Sequence, residues 1–332
     1  MGTVVEEQLQ TIQDNVDDAY TALSSKGATL PAVGSRGTAN LASTIATVPS
    51  PDPANKAFDV VNGALSMPTV TFNENTFAGI TSVGNNGLYY RFCWNTNATG
   101  SVVFQNVTSI GQQSLKSAFY NTSISSISFP SLTSIPDQSS GYEINYGAMH
   151  YMCAQCKYLE SASFPELVTV GKQGLSNAFY YSSRSSSNAL SVNFDKLTTV
   201  GENGFSYAFY NIKLKNNISF PKLETLGLYA FGNAFTSSFK YSGDINTVSF
   251  PSLTTVAAQS FSGCFGGCSW LTNISFPSLT TFGHKNAFIN AFKDCKNLTE
   301  IHFRQDAQTS VESLDGYSTK WGATNATIYF DL

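Results

Sequence analysis

A chain of 332 residues with 42% hydrophobic content can bury a sizeable core, yet only 12% of its residues are charged, about half of ordinary usage. A formal net charge of −4 gives no electrostatic reason to expect nucleic acid or an anionic membrane as partner. No apolar run approaches the ~20 residues that cross a bilayer, so no membrane insertion is expected.

The first segment, residues 1–26, carries a heptad seam. Val5, Leu9, Ile12, Val16, Ala19 and Leu23 follow one another in alternating steps of four and three, the a/d pattern of a coiled coil. A single helix of this length is marginal without packing. It is therefore expected to oligomerise or to dock on a partner, with folding back onto the rest of the chain as the alternative. The opening residues have neither a basic n-region nor an apolar h-region, so no secretory signal is expected. Residues 27–55 read as a linker. Gly27, Pro31, Gly34, Gly37, Pro49, Pro51 and Pro53 leave room for one short helix near 38–46.

From residue 56 to 304 a phenylalanine-centred phrase recurs, as in Phe104-Q-N-V-T-S-I-G, Phe164-P-E-L-V-T-V-G and Phe276-P-S-L-T-T-F-G. Copies begin at Phe77, Phe104, Phe129, Phe164, Phe194, Phe220, Phe250, Phe276 and, degenerately, Phe303, at intervals of 25 to 35 residues. A near-constant period with tolerated insertions implies stacked repeats, each burying its apolar edge on its neighbours. The residues before each phenylalanine, such as Ser126-I-S-F and Asn273-I-S-F, alternate polar and apolar like a half-buried strand. Stacking should give a parallel sheet. The glycine closing the phrase suits a tight turn or a left-handed position. A helical or 3-10-like stretch should follow, carrying a second aromatic (Phe92, Phe119, Phe179, Phe209, Phe235, Phe265, Phe292), usually after Ala.

Six cysteines occur, and most sit beside that second aromatic, where a small buried residue is expected. Cys153-A-Q-Cys156 has a metal-like spacing, but no further ligands at suitable spacing accompany it. No metal and no cofactor are indicated. Three histidines at unrelated phases of the repeat, with no nucleophile elbow, P-loop or zinc-protease motif, give catalysis little to work with. The chain is not expected to be an enzyme.

The consensus L-x-x-I-x-F-P-x-L-T-x-V-G-x-x-A-F-x-x-C-x-x-L resembles the Treponema-type (BspA-like) leucine-rich repeat, best preserved at Asn290-A-F and Cys295-K-N-L-T-E-I-H-F. That resemblance implies an α/β repeat, a leucine-rich-repeat solenoid with a parallel sheet on one face, preceded here by the coiled-coil-like helix. The units are longer than the family's, and the extra residues, as in Tyr180-Y-S-S-R-S-S-S-N, should form loops on one edge. The ends are similar to a narrower group. Thr11-I-Q-D-N-V-D-D-A-Y and the closing Gly316-Y-S-T-K-W-G-A-T-N-A-T-I-Y-F-D-L resemble tail-associated proteins of gut bacteriophages and prophages. Residues 305–332 should form the cap that a solenoid needs over its last apolar face.

Tyrosine, tryptophan and asparagine cluster beside the second phenylalanine: Tyr90, Trp94 with Asn95, Tyr120 with Asn121, Tyr180, Tyr181, Tyr210 with Asn211, and Trp270. Such residues provide rigid amphipathic contact area for glycans or protein epitopes. The plainer alternative is that they pack between coils and show only their hydroxyls. Together these features, with the resemblance, suggest a virion tail protein made in the host cytoplasm and exposed to the medium after lysis. Its helix would join it to itself as a homotrimer and to other tail proteins. Its repeats would bind a host surface polysaccharide or protein. A bacterial or protist adhesin, or a purely structural decoration or head-fibre protein, are the alternatives.

Overall fold

The computed structural model describes residues 69–138, 146–184, 188–215, 217–240 and 247–332. The proposed coiled-coil seam and linker helix, and most of the longest insertions, lie outside the described residues.

The repeat winds into a parallel β-solenoid of about nine coils with little helix. From Phe104 onward a strand leads into each spine phenylalanine, as alternation predicts, whereas the first strand, Val70–Phe72, ends short of Phe77. Val70–Phe72, Ala98–Val103, Ser123–Ser128, Ser161–Ser163 and Ser191–Asn193 make one five-stranded parallel sheet. Its register keeps equivalent residues level, with Ser128 opposite Ser163 and Ser163 opposite Asn193. The ladder is not continuous: Ile218–Ser219 pairs only with Val248–Ser249, and Asn273–Phe276, Glu300–Phe303 and Thr327–Phe330 form a separate three-stranded sheet.

A second wall was not legible in the sequence. The Thr-Val step of each phrase forms a two-residue strand, and six of these, from Ser134–Ile135 to Thr281–Phe282, stack as a parallel sheet. Two residues are too few to display alternation. The glycine ending the phrase serves this wall by closeness and not by left-handed φ. A Cβ on Gly171 would lie 2.5 Å from the Asp137 nitrogen and the Pro136 carbonyl carbon, and one on Gly227 would lie 2.9 Å from the Glu202 nitrogen.

The third wall differs from the helical or 3-10-like stretch expected there. Between residues 84 and 95 alternate amides close turns within the coil: Gly87 donates to Gly84 O (3.0 Å), Arg91 to Leu88 O (3.2 Å) and Cys93 to Tyr90 O (3.3 Å). The amides between them donate to the next coil: Leu88 to Ser114 O (2.7 Å), Tyr90 to Lys116 O (3.0 Å), Phe92 to Ala118 O (2.9 Å) and Trp94 to Tyr120 O (2.8 Å). Every fourth residue is left-handed, as at Asn86 (φ 55°), Tyr90 (55°) and Trp94 (65°). That periodic reversal flattens what would be a helix and turns half of its donors outward to the neighbouring coil. A left-handed non-glycine residue costs roughly 1–2 kcal/mol, and the inter-coil bond it allows offsets this. Among the described residues, the one α-helix is Gln308–Glu312.

Phenylalanine columns fill the interior. Phe77, Phe104, Phe129, Phe164, Phe194, Phe220, Phe250, Phe276 and Phe303 stack in sequence with ring centroids 4.6–6.0 Å apart. Phe330 adds a further ring beyond Phe303 at 6.2 Å. The second aromatics form a parallel column, interrupted where Cys153 takes the position: the Phe119 amide donates to Met152 O, and Cys153 to Ala178 O. At the far end Trp321, 1% exposed, packs on Phe288, Phe292 and Phe303 and closes the core. Val311 and Leu314 are buried beside it.

Candidate recognition face

The turn wall carries the aromatic residues because its left-handed positions and their neighbours point away from the core. Inter-coil hydrogen bonds define its rows. One left-handed row runs Tyr90, Ser117, Tyr151, Asn177, Tyr207, Asn233, Gly263, Asn290, and a second runs Trp94, Asn121, Gln155, Tyr181, Asn211, Ser237, Gly267, Asp294. Between them lies the row Cys93, Tyr120, Ala154, Tyr180, Tyr210, Thr236, Gly266, Lys293.

Side chains from all three rows meet in one strip across five coils. Trp94 and Tyr120 lie 5.1 Å apart, Tyr120 and Tyr151 6.1 Å, Tyr151 and Tyr180 6.0 Å, and Tyr180 and Tyr210 5.1 Å. Tyr181 flanks Tyr180 and Tyr210, with the Arg184 guanidinium 5.1 Å from its ring centre. Trp94 is 63% exposed and Tyr90 46%. At one end the strip surrounds a notch of about 300 Å³ lined by Tyr90, Cys93, Trp94, Ser117, Tyr120, Tyr151 and Tyr180. Burial, followed by neighbouring phenols, raises the Tyr120 and Tyr151 hydroxyls and pushes Tyr180 up to about 12. These groups are neutral donors and acceptors at physiological pH.

A buried cation borders the strip. The Lys116 ammonium sits 3.7 Å from the Tyr146 ring centre, 4.9 Å from Tyr89 and 5.7 Å from Tyr90, and donates to the Tyr89 hydroxyl at 3.4 Å. Burial lowers its pKa. His150 packs between Tyr146 and Tyr151 and is pushed down to about 3, first by burial and then by the Lys116 charge, so it is neutral.

Beyond Tyr210 the same rows change character. Gly263, Gly266 and Gly267 fall in one coil, between Asn233, Thr236 and Ser237 on one side and Asn290, Lys293 and Asp294 on the other, leaving a polar recess of about 370 Å³.

Of the residues singled out from sequence, Tyr90, Trp94, Tyr120, Tyr180, Tyr181 and Tyr210 are brought together here. Trp270 is not. It is 4% exposed, its indole N–H donates to Ser238 O at 3.0 Å, and it belongs to the interior. The asparagines have a backbone cause: Asn121 and Asn211 occupy left-handed positions, which asparagine tolerates, and the Asn95 side-chain oxygen accepts from the Asn97 amide at 3.1 Å. Tyr151 and Tyr207 were not singled out from sequence: they hold the same place as Tyr90, two before the second-aromatic position, but Tyr151 precedes Cys153 instead of an aromatic and Tyr207 stands apart from the Tyr210-Asn211 pair. Counting four back from Gln155 or Asn211 would have found them.

The cysteines are free thiols, five of them buried. Cys156, Cys268 and Cys295 each donate to a backbone carbonyl of the preceding coil, those of Phe119 (2.9 Å), Phe235 (3.0 Å) and Phe265 (2.9 Å). The Cys153-A-Q-Cys156 pair is thus part of the interior.

Stacked coils with a phenylalanine spine and a decorated turn wall define a repeat protein. The chain belongs to the BspA-type leucine-rich repeat family, whose repeat region matches residues 65–264 and 235–315 in six copies. Among solved structures it is similar to a leucine-rich repeat protein from Bacteroides ovatus ATCC 8483, at 15% identity over 76% of each chain, with a TM-score of 0.27. No curated protein matches it.

Proposed function

We propose that the protein is a non-enzymatic receptor-binding component of a phage tail, which engages a host cell surface through the aromatic face of its turn wall. The observation that carries the binding half is the contiguous strip from Trp94 to Tyr210, where rings of five coils meet and Trp94 stands largely in solvent. A solenoid holds such rings rigidly, so little side-chain freedom is lost on binding. The tail half is supported by the resemblance of the two chain ends to phage tail-associated proteins. The heptad seam Val5, Leu9, Ile12, Val16 and Leu23 would join three copies, and repeated weak contacts across them would give avidity. A cell-surface adhesin using the same face is the second reading, with which membership of the BspA-type repeat family is equally compatible.

Adsorption of labelled full-length protein to a panel of gut bacterial strains tests the face. A Trp94→Ala/Tyr181→Ala variant should lose at least tenfold in apparent affinity, and unchanged adsorption would remove the strip from the reading. Solution mass with and without residues 1–26 tests the seam: a trimer should become a monomer.

A further inference from the structure

We propose that the notch over Ser117 is a subsite for one uncharged pyranose ring of an extended surface polysaccharide, whose chain runs along the solenoid axis over Tyr151, Tyr180 and Tyr210. This rests on the reading of the aromatic strip as the recognition face and assigns its ligand class.

The shape comes from one small residue. Ser117 shares a left-handed row with Tyr90 and Tyr151 on the coils to either side and with Tyr207 further along. That row therefore accepts tyrosine, and its backbone does not require serine. At Ser117 the ring is absent, the residue is 2% exposed, and the space left, about 300 Å³, is walled by Tyr90, Tyr151, Trp94 and Tyr120. A recess of this size, apolar at its walls and with a few polar groups, suits a ring-sized ligand.

Charge selects among the ring-sized ligands. An aromatic cage could hold a quaternary ammonium, but here the Lys116 ammonium already lies 5.7 Å from the centre of the Tyr90 ring. Two cations sharing one ring repel each other at short range in a partly dry site. An anionic sugar would feel the same ammonium only through the Tyr90 ring and could form no direct ion pair with it: no basic side chain stands among the described lining residues, and Lys116 is 6% exposed and donates to Tyr89. No carboxylate stands among the described residues that line the notch either. What remains is a neutral ligand with apolar faces for the rings and a polar edge for phenol hydroxyls. A pyranose has both: axial C–H faces and equatorial hydroxyls. The Tyr120, Tyr151 and Tyr180 phenols are protonated at neutral pH, as any phenol with an ordinary or raised pKa is, so each hydroxyl can donate or accept. Ring-to-ring steps of 5.1–6.1 Å from Tyr120 to Tyr210 carry aromatic surface on from coil to coil, which suits a polymer more than a single sugar.

The test uses the full chain and four probes: maltohexaose, cellohexaose, mannohexaose and tetramethylammonium chloride. Trp94 emission is the readout, because Trp270 and Trp321 are buried. At least one hexaose should shift that emission at millimolar concentration and tetramethylammonium should not. Ser117→Tyr, which fills the notch with a side chain the row already carries, should weaken hexaose binding at least tenfold. Tyr151→Ala should weaken it severalfold, and Ser117→Ala should leave it intact. The proposal is overturned if tetramethylammonium binds, if no hexaose binds, or if Ser117→Tyr folds and binds like the parent. If Ser117→Tyr does not fold, unchanged binding by Tyr151→Ala overturns it. The face and the notch fail separately. Loss of cell adsorption in Trp94→Ala/Tyr181→Ala with full adsorption in Ser117→Tyr leaves the face standing and removes the notch, whereas full adsorption in both removes the face.

Discussion

Tyr180 and Tyr210, equivalent residues on adjacent coils, stack with ring centres 5.1 Å apart and planes 19° from parallel. Their proximity is created by the winding of the chain, since no local element could bring them together. A double-mutant cycle of Tyr180→Ala and Tyr210→Ala should give a coupling of about 0.5–1.5 kcal/mol beyond the single changes. Chemical denaturation measures it, and additive single effects would mean that the rings do not interact.

The phenylalanine spine should be far less forgiving. Phe194 is 1% exposed, between Phe164 at 5.4 Å and Phe220 at 5.7 Å. Phe194→Ala should cost about 3–5 kcal/mol, the transfer term plus the cavity it leaves. Because each coil contacts only its neighbours, the unfolding transition should also broaden or split. Calorimetry would show both effects, and a loss below that of Tyr180→Ala would contradict the spine's role.

Two glycines should respond in opposite directions. A Cβ at Gly171 meets backbone atoms of the adjacent coil at 2.5 Å, whereas at Gly266 the nearest atom is the Gly263 oxygen at 3.3 Å. Gly171→Ala should lose about 1–3 kcal/mol through overpacking. Gly266→Ala should be neutral or gain up to about 1 kcal/mol by restricting the unfolded chain. Melting temperatures of the two variants decide the matter.

Thiol labelling should single out Cys93, the one cysteine of the six that is not buried. Burial, and then the neighbouring Cys156, raises its pKa, so the reaction at mildly alkaline pH should be slower than for a free thiol and should accelerate as pH rises. Mass spectrometry should count one adduct on the native protein and six after unfolding. Rapid native labelling of Cys156 or Cys268 would contradict the packed interior.

High pH should loosen the turn wall, on which both Tyr180 and Tyr229 stand. Tyr180 is pushed up to about 12 by burial and by Tyr181 and Tyr210, and Tyr229 to about 12 by burial and by Tyr207, against 10.0 for a free phenol. The native state keeps these protons where the unfolded chain sheds them. Their contribution is therefore fully present below pH 10 and declines as pH rises from there towards about 12. Thermal midpoints followed through that window should fall, and Tyr180→Phe should fall less steeply.

The sequence alone determined the spine. Phe77 to Phe303 recur at one phase because every coil meets the same core, and burying a large ring stabilises each coil by roughly 1.5–3 kcal/mol wherever it sits. The strands ending at those phenylalanines were legible for the same reason, alternation being visible over four residues. What lay outside that reading has a common cause. The Thr-Val wall is too short to show a period, and the turn wall has a step of four residues, near enough to a helical repeat to read as one. Only the three-dimensional winding decides which amide donates within a coil and which to its neighbour. It likewise separates two tryptophans that sequence places in similar company: Trp270 lies within the core, while Trp94 stands in solvent beside Tyr120. Local patterns encode what every coil shares, because burial acts residue by residue. The recognition face belongs to rows that run across coils, and the contacts that make it span intervals of about thirty residues that only the packed solenoid closes.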